Sequence, residues 1–148
     1  MWILLGVCIA VYSASPARAA VNVFAFLAGM VSDYYVYSAC VAGFFPAGYA
    51  LIWDVFALLL PLLAAVCRYA TGPGKLAPGI SSLIVAVLFN TSFVYGRLYF
   101  DIHFVPELIV FLCGIAVLRR RSVKTTAVML GIGVIVALPL HAVIPFHF

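Results

Sequence analysis

Charge is what this sequence has least of: eight Lys and Arg and four Asp and Glu in 148 residues, against 68% hydrophobic residues. Soluble domains carry about 25% charged residues and about half apolar ones, so a water-soluble globule is excluded and lipid is the solvent for most of the chain. Paired cysteines are lacking as well. Cys8, Cys40, Cys67 and Cys113 stand singly inside hydrophobic runs with no C-x-x-C spacing, which predicts neither a disulfide nor a structural metal. The glycine- and proline-rich stretch 71–79 has no G-K-[ST] ending, so it reads as a turn and not as a phosphate cradle. No alternating strand pattern of an outer-membrane barrel, no internal repeat and no cofactor motif is present.

What is there is a series of apolar runs. Residues 2–15, 21–45, 47–69, 80–100, 106–118 and 125–144 predict an all-α polytopic bundle of about six transmembrane helices, with residues 1–148 as one transmembrane domain. The first run is short and ends at Ser15-Pro16-Ala17-Arg18-Ala19-Ala20, an A-x-A pattern like a signal-peptidase site. The absence of Lys and Arg before it argues for a first helix instead, and both readings stand. Pro46 is expected to close the second run, Pro61 and Pro139 to bend the third and sixth, and Pro106-Glu107 to open the fifth. Ala127 and Gly131, with Gly133 close by, offer small-residue spacing for a neighbouring helix.

The net charge of +4 is not a nucleic-acid signal, because the basic residues lie between hydrophobic runs. Arg18, Arg68, Lys75, Arg119, Arg120, Arg121 and Lys124 fall in the first, third and fifth connections, and Arg97 alone falls on the opposite side. The positive-inside rule therefore predicts those three loops in the cytoplasm and both termini outside. The run from Arg119 to Lys124 reads as an anchor for anionic headgroups.

Polar groups inside the runs are then placed by depth, at ~1.5 Å per residue: Asp33 ~18 Å, Asp54 ~10 Å and Asn90 ~15 Å from the outer face. Arg97, Asp101, His103, Glu107 and His141 are shallower on the same side. A carboxylate at mid-helix costs about 2.5–3.5 kcal/mol to insert, so Asp33 reads either as a proton- or cation-responsive group or as interhelical glue. Asp54 is a pocket residue or one reaching the outer interface. Glu107 is a pocket residue or a helix-start acid, and His141 an interfacial residue or an acid-base group. His103 and Glu107 are four apart, but Pro106 between them argues against a metal pair. His147 reads as solvated.

Cys40 in Ser38-Ala39-Cys40-Val41-Ala42-Gly43, followed by Arg97 and His141, resembles the Cys, Arg and His of exosortase and archaeosortase membrane transpeptidases. The resemblance implies an outward-facing enzyme with Cys40 as nucleophile; here Val41 adds a residue before the glycine, and the surroundings of Arg97 differ from the family's motif. Through Asn22-Val23-Phe24, Gly29-Met30, Tyr34-Tyr35 and Gly43-Phe44-Phe45-Pro46 the chain also resembles small uncharacterised bacterial multipass membrane proteins, which implies a bacterial inner membrane and no particular activity.

These residues lead to a small permease or transport-associated membrane subunit with a polar pocket in the outer half of the bilayer, drawn from Asp33, Asp54, Asn90, Arg97, Glu107 and His141. An outward-facing membrane enzyme, using Cys40 or an Asp/His set, and a structural subunit of a larger complex are the alternatives. The expected partners are membrane lipids, other membrane subunits or further copies of the chain; no cofactor and no nucleic acid is expected.

Overall fold

The computed structural model describes residues 1–44, 47–74, 76–95, 100–119 and 122–143. The fold is all-α and 80% helical, with six helices among the described residues. They are α1 (Trp2–Tyr12), α2 (Pro16–Cys40), α3 (Ala47–Cys67), α4 (Ala77–Ser92), α5 (Val105–Leu118) and α6 (Val123–Val143). A two-stranded antiparallel hairpin, β1 (Phe93–Tyr95) and β2 (Phe100–Ile102), joins α4 to α5.

Three helices, α2, α3 and α6, are long and apolar enough to cross a bilayer, as in an integral membrane protein. The other three, at 11, 16 and 14 residues, rise only ~16, ~24 and ~21 Å, short of a ~30 Å hydrocarbon core.

Two boundaries differ from the sequence reading. The fourth run, expected as one helix over 80–100, stops at Ser92 and turns into the hairpin. Phe93-Val94-Tyr95 is rich in aromatic and β-branched residues, and hydropathy alone does not separate such a strand from a helical turn. The second run was expected over 21–45. Its helix begins at Pro16, because Ser15 caps it by accepting from the Arg18 N–H at 3.2 Å and proline suits the first turn. Arg18 is thus in the first turn of α2 and not in a loop. The helix ends at Cys40, where the chain turns through Gly43 at φ +71°, a backbone region open chiefly to glycine. Phe45 and Pro46, expected to close that run, lie outside the described residues, as do Lys75, Arg97, Arg120, Arg121, Ile144 and His147.

The chain divides into two compact units, Ile9–Arg68 and Met1–Cys8 with Tyr69–Phe148. In the first, here the hairpin unit, α2 packs on α3. One stripe of α2, Ala19, Val23, Leu27, Val31 and Ser38, is buried, as are the small residues Ala50, Ala57, Pro61 and Ala64 of α3. Apart from Asp54, the outward side chains of α3 are largely apolar: Leu51, Leu58 and Leu62 are 66–67% exposed. A helix that buries alanines and exposes leucines is built for a lipid solvent.

In the second, the C-terminal unit, α4 packs against both α5 and α6 and is buried on most of its surface. Glycines set the spacing of these helices. A Cβ on Gly133 would stand 2.6 Å from Val85 Cγ1 and 3.0 Å from the Ser82 carbonyl oxygen, and one on Gly114 would meet Leu88. Gly131 has open space around it, so the close approach anticipated around Ala127 and Gly131 belongs to Gly133.

Candidate functional site

In the C-terminal unit the buried polar residues of α4 are used up by carbonyls on neighbouring elements. Ser82 Oγ lies 3.1 Å from the Met129 carbonyl of α6, and Ser92 Oγ donates to the Glu107 carbonyl at 2.8 Å. Asn90, 4% exposed, donates through Nδ2 to the Ala137 carbonyl at 3.0 Å and accepts from the Tyr95 hydroxyl at 2.5 Å. That hydroxyl is also 3.1 Å from the Ala137 oxygen. Where water is absent, a side-chain donor finds its acceptor across the helix contact, and such bonds fix the contact.

His141 joins this group from the last turns of α6, its ring 4.6 Å from that of Tyr95. An aromatic cluster closes it off: Phe89 against Phe93 at 4.7 Å and Phe111 at 5.9 Å, with Phe93 stacked on Phe100. Phe93, Tyr95 and Phe100 share one face of the hairpin, since residues two apart on a strand point the same way and Tyr95 is the cross-strand partner of Phe100. Glu107 sits in the first turn of α5, with its carboxylate 3.5 Å from the Met1 ammonium, and is 28% exposed. Asp101 is exposed on β2, and His103 follows it with its backbone N–H on the Ser92 carbonyl. Arg97 lies outside the described residues.

In the hairpin unit Ser13 and Ser38 are buried, whereas Asp33 and Asp54 face outward. The Tyr35 hydroxyl stands 2.9 Å from Asp54 Oδ1 and 2.9 Å from the Ala50 carbonyl, one proton before two acceptors. Ala50 and Asp54 are one helical turn apart on α3, and Tyr35 continues the four-residue stripe Val23, Leu27, Val31 on α2, which is why the phenol reaches them. Tyr34, Tyr49, Trp53 and Phe56 form a ladder of rings at 6.0–6.2 Å beside it.

Asp33 lies seven residues before Cys40 and Asp54 seven after Ala47, each ~11 Å along its helix from the connecting turn. The earlier end of α2 thus moves Asp33 from near the midplane to a shallower level. Asp33 is exposed and makes no hydrogen bond among the described residues. Two residues from Tyr35, it is turned by about 200° around the helix, away from the side that meets α3.

Asp54 and Tyr35 are therefore brought together, as are Asn90, Tyr95 and His141. Cys40 is exposed in the hairpin unit and His141 belongs to the C-terminal unit. Among the described residues no three His, Cys, Asp or Glu cluster as metal ligands would. Sequence reasoning missed Tyr35, Tyr95, Ser82 and Ser92. A usable signal existed for two of them: Tyr35 extends an apolar stripe with a polar tip, and Ser82 shares a face with Asn90 two turns on. The chain matches no protein-family model, no curated protein and no solved structure.

Proposed function

We propose that this chain is a small permease or transport-associated subunit of a bacterial inner membrane, oriented with its basic connections in the cytoplasm, and that Asp54 with Tyr35 is its proton- or cation-responsive group. The observation that carries the reading is the shared phenol proton: Tyr35 Oη is equidistant, at 2.9 Å, from Asp54 Oδ1 and the Ala50 carbonyl. A carboxylate on an apolar span costs about 2.5–3.5 kcal/mol to insert and is retained where it has work or a partner.

When Asp54 is ionised, the phenol donates to it. When a proton or a cation occupies the carboxylate, the same hydroxyl rotates to the Ala50 oxygen with no heavy-atom movement. Tyr35 thereby stabilises both states of Asp54 within one hairpin, and Asp54 remains exposed to whatever enters beside α3.

The test is flux in sealed vesicles. The purified chain, reconstituted with a pH-sensitive dye inside, is challenged with proton, Na⁺ and K⁺ gradients. Asp54→Asn is expected to abolish the flux of the parent protein and Tyr35→Phe to reduce it. Equal flux in parent and Asp54→Asn removes Asp54 from the mechanism, and no flux from the parent under any gradient removes the permease reading.

A further inference from the structure

The described acids and bases of the C-terminal unit stand at opposite ends of it. Glu107 opens α5 where Ser92, the last residue of α4, bonds its carbonyl, and Asp101 pairs with Val94 in the hairpin that follows. Arg119 closes α5 and Lys124 lies in the first turn of α6. Ser82 meets Met129 and Asn90 meets Ala137, each forty-seven residues on, so α4 and α6 point the same way and their first turns share a level. The two bases are therefore at the end where α4 begins.

Nothing described in the unit neutralises that end. Among the described residues no Arg or Lys side chain forms an ion pair, and Arg119 and Lys124 are both exposed. Neither α4 nor α6 has an acid in its first turn, and Leu76, at the cap of α4, makes no side-chain bond to it, so the positive ends of two helices add to the two side-chain charges. The sequence adds Lys75, Arg120 and Arg121 to the same connections.

The surface beside these cations decides which anion fits. Leu76 is 79% exposed, Val123 76% and Val128, one helical turn beyond Lys124, 60%, so the charges stand at the rim of an apolar flank. A free anion or a nucleic acid makes no use of that flank. A phospholipid carries both parts in this order, a phosphate level with the cations and acyl chains along the helices.

We propose that the end of the C-terminal unit formed by Arg119, Lys124 and the first turns of α4 and α6 binds the phosphate headgroup of an anionic phospholipid. The two cations hold the phosphate, and the exposed apolar side chains of α4 and α6 hold the chains. A lipid bound in this way to the folded unit stabilises it. Neither Asp54 nor Tyr35 takes part, so binding is independent of the flux reading above and survives Asp54→Asn.

The experiment uses the full chain in neutral detergent, with phosphatidylglycerol and phosphatidylcholine of the same acyl chains; native mass spectrometry reads bound lipid and a thermal melt reads stability. Phosphatidylglycerol is expected to bind at least about tenfold more tightly than phosphatidylcholine and to raise the melting midpoint. Lys124→Gln and Arg119→Gln are each expected to lower its binding about fivefold, the scale of one cation at a membrane surface, with the lipid-free midpoint unchanged. Lys124→Arg is expected to keep the binding. Arg18→Gln, which removes an exposed base from the first turn of α2 in the other unit, is expected to leave it unchanged. Equal binding of the two lipids to the parent protein overturns the proposal. So does a loss from Arg18→Gln as large as that from Lys124→Gln, which would make the preference one of overall charge and not of this site. Displacement of the lipid by millimolar inorganic phosphate would assign the cations to a free anion and overturn it too.

Discussion

The two units differ in which polar side chains they carry and where they place them. In the C-terminal unit, Ser82, Asn90 and Ser92 are buried; Asn90 and Ser92 donate to carbonyls on other elements, and the Ser82 hydroxyl is shared between the Pro78 carbonyl of its own helix at 2.9 Å and the Met129 carbonyl of α6 at 3.1 Å. In the hairpin unit Ser13 and Ser38 are buried as well, but the two carboxylates, Asp33 and Asp54, stand on the exposed surface of α2 and α3. The contrast separates polarity that holds a fold together from polarity the fold does not need. Neutral donors with matched acceptors stabilise a helix contact in lipid. Of the exposed carboxylates, Asp33 has no hydrogen-bond partner among the described residues and Asp54 has one partly exposed phenol across the α2–α3 contact, so they add little to that contact and persist for another reason.

The comparison breaks most visibly at Gly133. Gly133→Leu places a side chain where even a Cβ meets Val85 and the Ser82 carbonyl, and no rotamer avoids a backbone atom. Folded, monodisperse protein in detergent is expected to disappear, whereas Gly131→Leu, with open space around it, keeps the parent's elution and melting. Comparable loss from both would mean that α4 and α6 do not pack through Gly133.

Next in size is Asn90→Leu. It removes one bond to Ala137 and the nearer of the two acceptors for Tyr95, a loss of about 1–3 kcal/mol in a denaturant titration of the micellar protein. Asp33→Leu in the same titration is expected to leave stability unchanged or raised. The distinction between the units fails if the two substitutions cost the same.

Gly43→Ala forces a side chain into a positive-φ turn and is expected to cost about 1 kcal/mol, read as a lowered unfolding midpoint. Tyr35→Phe is the smallest effect, about 0.5 kcal/mol, because it deletes a partly exposed hydrogen bond while the α2 and α3 stripes stay packed. A Tyr35→Phe loss as large as that of Asn90→Leu would mean that Asp54 is held by the fold after all.

Much of the architecture was legible in the sequence because lipid makes composition speak for structure: the long runs became α2, α3 and α6, and Pro106-Glu107 opens α5 as expected. The short hairpin was not legible, since Phe93-Val94-Tyr95 is as apolar as the helix before it and only tertiary pairing with Phe100-Asp101-Ile102 turns it into a strand. The start of α2 is readable at Ser15-Pro16 as a cap and a first-turn proline, but the apolar run that sets a span by hydropathy begins only at Val21. At the candidate sites, Asp54 and Asn90 stood out as polar residues in apolar surroundings. Their partners did not, because a backbone carbonyl such as that of Ala50 or Ala137 has no sequence signature and Tyr35 and Tyr95 pass for aromatic packing.

Ser82 reaches Met129 and Asn90 reaches Ala137, eight residues further along both helices. Two attachments in step mean that α4 and α6 run parallel, and that they share one register about two helical turns long. One attachment would leave α6 free to swivel about it; two remove both the swivel and the slide, since any shift of a single turn breaks both at once. Mechanically the pair is a strut. When the membrane or a partner pushes on the C-terminal unit, α4 and α6 answer as one body.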